Sequence, residues 1–344
     1  MVGGLLPQSP LVHVAVIAAA TAAIWVGSGW LEEAAGVLAG YYGLPAVVQG
    51  SVVVAVGSSF PELVSVLVTA LVGVFDMGVG ALVGSAIFNI LVIPALSGLT
   101  VDGPLESSRT IVYKEAQFYM ISVAALVVTF SLAVIYAPVP SEAIAGELTR
   151  PLALIPLALY GLYLFIQYQD TAEHEADPEA GAGVDVLRQW GLLLAGLVVI
   201  LLAVERLVHS IDVIGTELGV PEFVMGVTIA AGATSLPDAL VSLRAARDGR
   251  GVASLANVLG SNTFDLLVAI PVGVLIVGPT PINFSMAVPM FGVLTLATIL
   301  LFTVLRTGLA LSTVESYALL GSYIAFVAWV VLETVSDVVD YLPN

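Results

Sequence analysis

Residues 57–62 read Gly57-Ser58-Ser59-Phe60-Pro61-Glu62, and residues 233–238 read Ala233-Thr234-Ser235-Leu236-Pro237-Asp238. A second motif follows each: Gly84-Ser85-Ala86-Ile87-Phe88-Asn89 after the first, and Gly260-Ser261-Asn262-Thr263-Phe264-Asp265 after the second. The two copies of each motif lie 176 residues apart. Two motifs that keep one register without a gap mark an internal duplication. Each copy also sets a proline and a carboxylate inside an apolar run, residues 52–56 ahead of Glu62 and 227–230 ahead of Asp238.

The surrounding chain is that of a membrane protein. Of its 344 residues, 59% are hydrophobic and only 10% charged, with a mean hydropathy of +1.07. Soluble domains carry about 25% charged residues, so a soluble fold of this size would lack polar surface. Ten apolar segments are long enough to cross or nearly cross a bilayer. They lie near 10–28, 44–72, 78–99, 116–137, 151–168, 188–208, 220–245, 253–278, 284–305 and 312–334. The first has no basic stretch before it and reads as a retained helix, not a cleaved signal. The fold class expected is therefore all-α, with ten transmembrane helices.

The nine bases suggest an orientation. Arg109, Lys114, Arg188, Arg244, Arg247, Arg250 and Arg306 fall on one side of the expected spans, and Arg150 and Arg206 on the other. The positive-inside rule puts the first side in the cytoplasm and both termini outside. Five spans fall within the 176-residue period. Five is odd, so the second half enters from the side opposite to the first, as two inverted-topology repeats. Residues 1–168 form the first repeat and residues 188–344 the second. Residues 169–187 form an acidic cytoplasmic linker, read as a solubilising connector because it lacks the spaced oxygen ligands of a Ca²⁺ loop.

Net charge is −17, with 26 acids against 9 bases, which argues against nucleic acid as a partner. Without cysteine there is no disulfide, thiolate metal site or thiol catalysis. The partners expected are small cations and the lipid bilayer of the cell membrane, and no obligatory protein partner is evident.

A carboxylate at the bilayer centre costs about 2.5–3.5 kcal/mol. Two such costs at duplicated positions call for an offset, and a bound cation supplies one. Pro61 cannot donate to the carbonyl of Gly57, and Pro237 leaves Ala233 likewise, so oxygen atoms are freed beside each acid. The spacing puts Ser58 with Glu62 and Thr234 with Asp238 on shared helix faces, with Ser59 and Ser235 one turn before the acids. On the following helices Ser85 pairs with Asn89 and Ser261 with Asp265. An all-oxygen site of this kind suits Na⁺, K⁺, Ca²⁺ or Mg²⁺, and a relaxed cage suits Ca²⁺ better than Mg²⁺.

Each of these residues also has a plainer reading. A lone Ser or Thr in a membrane helix usually bonds its own backbone, and a lone Asn89 is more often helix–helix glue. Glu62 and Asp238 would need a base at depth to be merely structural. Asp265 is membrane-centred by pattern. Glu32, Glu33, Asp76, Asp212, Glu315 and Glu333 read as solvated faces near helix ends, and His13 and His209 as unpaired. No catalytic or cofactor-binding residue is expected. An intramembrane acid protease would need two carboxylates sharing a water, and no protease signature accompanies these.

At these motifs the chain resembles the cation/Ca²⁺ exchanger superfamily, in its Na⁺/Ca²⁺ exchanger branch. That resemblance implies antiport of Na⁺ against Ca²⁺ with no cofactor. It implies that Glu62 and Asp238 are the principal Ca²⁺ ligands. It also implies that Ser58, Ser59, Ser85, Asn89, Thr234, Ser235, Ser261 and Asp265, with the carbonyls of Ala55 and Ala231, complete the ion sites. The wording of the repeats is similar to the K⁺-dependent branch, in which the acid matching Asp265 is tied to K⁺, so K⁺ dependence stays open. Exchange of Ca²⁺ for H⁺, or of another divalent cation such as Mg²⁺, is the alternative. The Gly-Asn-Ala-x-Glu signature of Ca²⁺/H⁺ exchangers is absent.

Overall fold

The computed structural model describes residues 10–43, 55–140, 144–171 and 184–335, and helices dominate them. In chain order they are α1 (Pro10–Tyr41), α2 (Ala55–Ser58), α3 (Phe60–Val72), α4 (Phe75–Leu99), α5 (Ile111–Tyr136) and α6 (Arg150–Thr171). Then come α7 (Val186–Leu218), α8 (Glu222–Thr234), α9 (Leu236–Arg247), α10 (Gly251–Val277), α11 (Phe284–Arg306) and α12 (Thr313–Val335). Among the described residues, eight helices are long and apolar enough to span a membrane, and α8 with α9 makes a ninth if that bent pair is one span. The second expected segment, 44–72, lies partly outside the described residues. Its described part is α2 and the 13-residue α3. Most of the expected linker also lies outside them.

Helix starts repeat with the sequence. α1 begins at residue 10 and α7 at 186, α3 at 60 and α9 at 236, α4 at 75 and α10 at 251. Each pair keeps the 176-residue offset of the motifs. The two motif-bearing helices form the centre: α4 is buried over 89% of its apolar window and α10 over 72%, against 22% for α12. Being apolar on every face, α4 gains by burial all round, and Leu82, Ile87, Ile90 and Ile93 are all fully enclosed. The outer helices turn Leu154, Leu202, Leu296 and Ile324 outward, as a lipid-facing surface does.

Glycine sets the closest approach. A side chain on Gly84 would come within 2.7 Å of the Val227 Cα, so α4 meets α8 backbone to backbone. The two longest helices, α1 with 32 residues and α7 with 33, lie along each other. They cross where a Cβ on Gly196 would sit 2.7 Å from the Gly27 carbonyl. At about 1.5 Å per residue each is nearly 50 Å long and exceeds the hydrocarbon thickness.

Four short strands join the ends. β1 (Leu105–Glu106), after α4, pairs antiparallel with β4 (Ala310–Leu311), before α12. β2 (Ala145–Leu148), before α6, pairs antiparallel with β3 (Thr280–Asn283), after α10. Each sheet therefore ties the loop after one motif helix to a loop in the other half of the chain.

Candidate functional site

Both proline–acid motifs break their helices. Ser59 separates α2 from α3 with φ −89° and ψ 4°. Ser235 separates α8 from α9, which are bent by 44°. Pro61 and Pro237 each sit at the second position of the helix that follows, where a missing N–H costs nothing. Leu63 N then donates to the Ser59 carbonyl at 3.2 Å and Ala239 N to that of Ser235 at 3.1 Å. A π-wound stretch lies in α8 at Gly226–Ala230 and another in α10 at Asp265–Ala269, each with one looser turn beside the motif.

The breaks correct one expectation. Ser58 and Glu62 do not share a helix face, nor do Thr234 and Asp238, because each pair straddles the proline break. Thr234 instead donates to the Ala230 carbonyl at 3.1 Å, as a membrane threonine commonly does. Ser58 reaches across to Asp238 in the other half of the chain.

Every acid and amide of the motifs is nevertheless enclosed: Glu62 is 2% exposed, and Asn89, Asp238, Asn262 and Asp265 are 0% exposed. The bonds between them run crosswise. Ser85 Oγ donates to Glu62 Oε1 at 3.3 Å and accepts from Ser235 Oγ at 2.7 Å. Asn89 Nδ2 donates to Asp238 Oδ2 at 2.9 Å and to Asn262 Oδ1 at 2.9 Å. Asn262 Nδ2 donates to the Ala86 carbonyl at 3.1 Å and to Tyr119 Oη at 3.3 Å. Ser261 donates to the Asn257 carbonyl of its own helix at 2.9 Å and faces Asp238. The carbonyl of Ala231 accepts from Ser235 N at 3.0 Å, and Ala55 opens the short α2.

The duplication is visible in these contacts. Asn262 and Ala86 occupy equivalent positions, 176 residues apart, and they touch. The offset also maps Asn89 onto Asp265 and Asp238 onto Glu62. The hydrogen-bonded pair Asn89–Asp238 thus has as its counterpart Asp265 and Glu62, two acids within electrostatic reach of each other. The first pair holds itself together. The second repels, and only positive charge between its members relieves it.

Six buried oxygens in this region have no hydrogen-bond partner: Ser59 Oγ, Glu62 Oε2, Asn89 Oδ1, Asp238 Oδ1 and both carboxylate oxygens of Asp265. Ser59 lies beside Asp265 without bonding to it. Buried polar atoms are partnered in the great majority of cases, so six orphans in one place demand a reason. Among the described residues no ion pair includes Glu62, Asp238 or Asp265. Nor do three carboxylates or imidazoles converge on one point there. The donors are instead a mixture of carboxylate, amide and hydroxyl oxygen, the chemistry of a hard cation.

Sequence reasoning missed several residues. Asn262 lay within the second motif, but its equivalent is Ala86, so the duplication gave no cue. Tyr119 belongs to α5 and carries no motif. Glu32, expected on a solvated face, is half-buried, with its Cα 3.4 Å from the Cβ position of Gly57. His13 and His209, expected to be unpaired, meet edge to face at 6.0 Å, and His13 Nδ1 lies 3.2 Å from Ser210 Oγ.

A cavity of about 1020 Å³ opens between α1, α5, α6, α9 and α10. Glu115, at its wall, is 8% exposed and accepts from Tyr163 Oη at 3.0 Å and Gln167 Nε2 at 2.8 Å, with Lys114 Nζ at 3.3 Å.

The family model described as sodium/calcium exchanger protein matches residues 12–169 and 188–332. An uncharacterized membrane protein of Methanocaldococcus jannaschii is 29% identical over 266 residues, 77% of this chain and 82% of that protein. The putative antiporter CaxA of Alkalimonas amylolytica is 28% identical over 291 residues, 81% of this chain and 86% of its own. A solved structure of the sodium-calcium exchanger NCX_Mj superposes with a TM-score of 0.64 at 24% identity, over 93% of this chain and 99% of that one.

Proposed function

The chain belongs to the sodium/calcium exchanger protein family, and from that premise we propose that it is a secondary active antiporter exchanging Na⁺ for Ca²⁺ by alternating access. Its family and fold are those of multi-pass membrane transporters. The observation that carries the reading is the set of six unpartnered, buried oxygens contributed by both motif copies. Na⁺ and Ca²⁺ both take oxygen ligands, Ca²⁺ in flexible geometry, and the unpartnered atoms on Glu62 and Asp238 are the part of this set that Ca²⁺ would draw on.

The ligands in this reading are Glu62 and Asp238 for Ca²⁺. Ser58, Ser59, Ser85, Asn89, Thr234, Ser235, Ser261 and Asp265 shape the Na⁺ positions, together with the carbonyls of Ala55 and Ala231. The repeated helix starts and the contact between equivalent positions 86 and 262 support two inverted repeats, divided near 169–187. The termini then lie outside and the 1020 Å³ cavity opens to the cytoplasm.

Coupling follows from charge. Glu62, Asp238 and Asp265 leave the empty site with up to three negative charges, and carrying them unpaired through an enclosed state is prohibitive. One Ca²⁺ cancels two of these charges and several Na⁺ cancel up to three, so the loaded carrier crosses far more readily than the empty one. This makes exchange obligatory.

The acid pair Glu62–Asp265 also favours a second reading, in which K⁺ or H⁺ takes part, or H⁺ replaces Na⁺ altogether. Ca²⁺ uptake by proteoliposomes, with Na⁺, K⁺ and pH gradients varied independently, separates the two. Uptake driven by Na⁺ alone supports the first. Uptake that ignores Na⁺ and follows a proton gradient refutes it.

A further inference from the structure

The 1020 Å³ cavity has five charged residues in its wall: Glu32, Arg109, Lys114, Glu115 and Arg250. Most are already compensated. Glu115 is occupied by Lys114, Tyr163 and Gln167, and Arg250 Nη2 lies 3.1 Å from Asp248. Glu32 differs. It sits nine residues before the end of α1, about 14 Å inside the helix terminus. Its backbone packs against Gly57, at the break that leads to Glu62. It lies within electrostatic reach of Asp238 and of Arg244, the latter on α9 between the cavity-lining Val241 and Ala245. Asp238 in turn keeps Oδ1 buried and unpartnered.

We propose that Glu32 is a staging ligand: it takes the transported cation from the cavity and passes it to Asp238, while Arg244 holds the place of the ion's charge until it arrives. The proposal rests on the antiport reading above and adds a residue outside both motifs. A hydrated cation in the cavity meets Glu32 before the enclosed acids, and oxygen is the ligand class that Na⁺ and Ca²⁺ accept. Arg244 cannot leave with the ion or lose its charge. It therefore balances Glu32 when no cation is present and repels a cation that lingers. Because Glu32 rides on α1 and Asp238 on α9, any shift of α1 parts the two carboxylates. The staging position then exists only while this cavity is open.

The test uses full-length protein in liposomes of defined orientation, with ⁴⁵Ca²⁺ flux driven by Na⁺. Glu32→Gln is expected to raise the half-saturating Ca²⁺ on the cavity side by about three- to tenfold and to leave the opposite side within about twofold. Glu32→Asp restores most of the loss, and Arg244→Gln lowers the half-saturating concentration on the same side. Flux from the opposite side reports that the variant is folded. Equal effects on both sides, or none in Glu32→Gln, overturn the proposal while wild-type exchange persists. A wild type that shows no Na⁺-driven flux overturns the antiport reading itself. In that case, direct ⁴⁵Ca²⁺ binding to Glu32→Gln and wild type in detergent still decides the staging role, because unchanged affinity refutes it.

Discussion

Asn89 donates to Asp238 at 2.9 Å across 149 residues of chain. The bond joins the second motif of one copy to the first motif of the other. Its counterpart under the 176-residue offset replaces the amide with a carboxylate, so Asp265 faces Glu62 in place of a donor. Two halves that are alike in backbone are thus unlike in charge, and that difference is testable.

Asn89→Asp gives Asp238 the same acid neighbour that Glu62 already has. The variant is expected to need an additional monovalent cation or proton for flux, so its ⁴⁵Ca²⁺ uptake rises with added K⁺ or with falling pH more steeply than that of the wild type. Asp265→Asn makes the reverse change and flattens whatever K⁺ or pH dependence the wild type shows. Identical profiles in all three proteins would mean that the asymmetry plays no part in ion choice.

Glu62→Gln and Asp238→Asn each remove one negative charge and one anionic ligand from the cluster. Na⁺-driven Ca²⁺ flux is expected to fall at least about a hundredfold in each, more than the loss that follows from altering residues behind a metal ligand. Full retention in Glu62→Gln would refute the assignment of this acid.

Ca²⁺ binding to the folded state alone stabilises it. At a hundred times the dissociation constant the gain is about 2.7 kcal/mol. Thermal unfolding in detergent should therefore shift upward with Ca²⁺ in the wild type and not in Glu62→Gln or Asp238→Asn. A shift of the same size in all three would place the ion elsewhere.

Gly84→Ala drives a methyl group to 2.7 Å from the Val227 Cα and 2.8 Å from the Ala231 Cβ. Overpacking of this kind costs about 1–3 kcal/mol, so the unfolding temperature should drop. Gly161→Ala, where nothing lies within 4 Å, is the control and should leave it unchanged or slightly raised.

The motifs were legible because their chemistry is local. A proline inside a helical run removes a backbone donor and clashes with the preceding turn, and Ser59 and Ser235 mark the breaks just ahead of Pro61 and Pro237. What the spacing misjudged follows from the same breaks. Counting four residues from Ser58 to Glu62 assumes an unbroken helix, and Pro61 interrupts that count. Residues whose role depends on packing between distant segments left no periodic trace. Tyr119 meets Asn262 only because α5 lies against α10, and Glu32 comes beside Gly57 only because α1 crosses the break. The charge of Glu32 suggested solvent, whereas its place in the bundle gives it a cavity and two charged neighbours. Apolar length marked most of the spans, but it could not say that the second expected segment contains a short helix, a break and a 13-residue helix.

The two small sheets fasten some helices and leave others alone. Strand pairs lash the loops beside α4, α5, α6, α10, α11 and α12 to one another across the halves of the chain. Among the described residues no strand adjoins α1 or α7, which instead press their glycines together and run side by side. The molecule thus resembles a stitched frame with a loose double plank laid along it. A rearrangement that closes one mouth and opens the other has least to undo if the plank slides and the stitching stays. A covalent bolt from α1 to the frame should therefore halt the cycle, while one joining α1 to α7 should let it run.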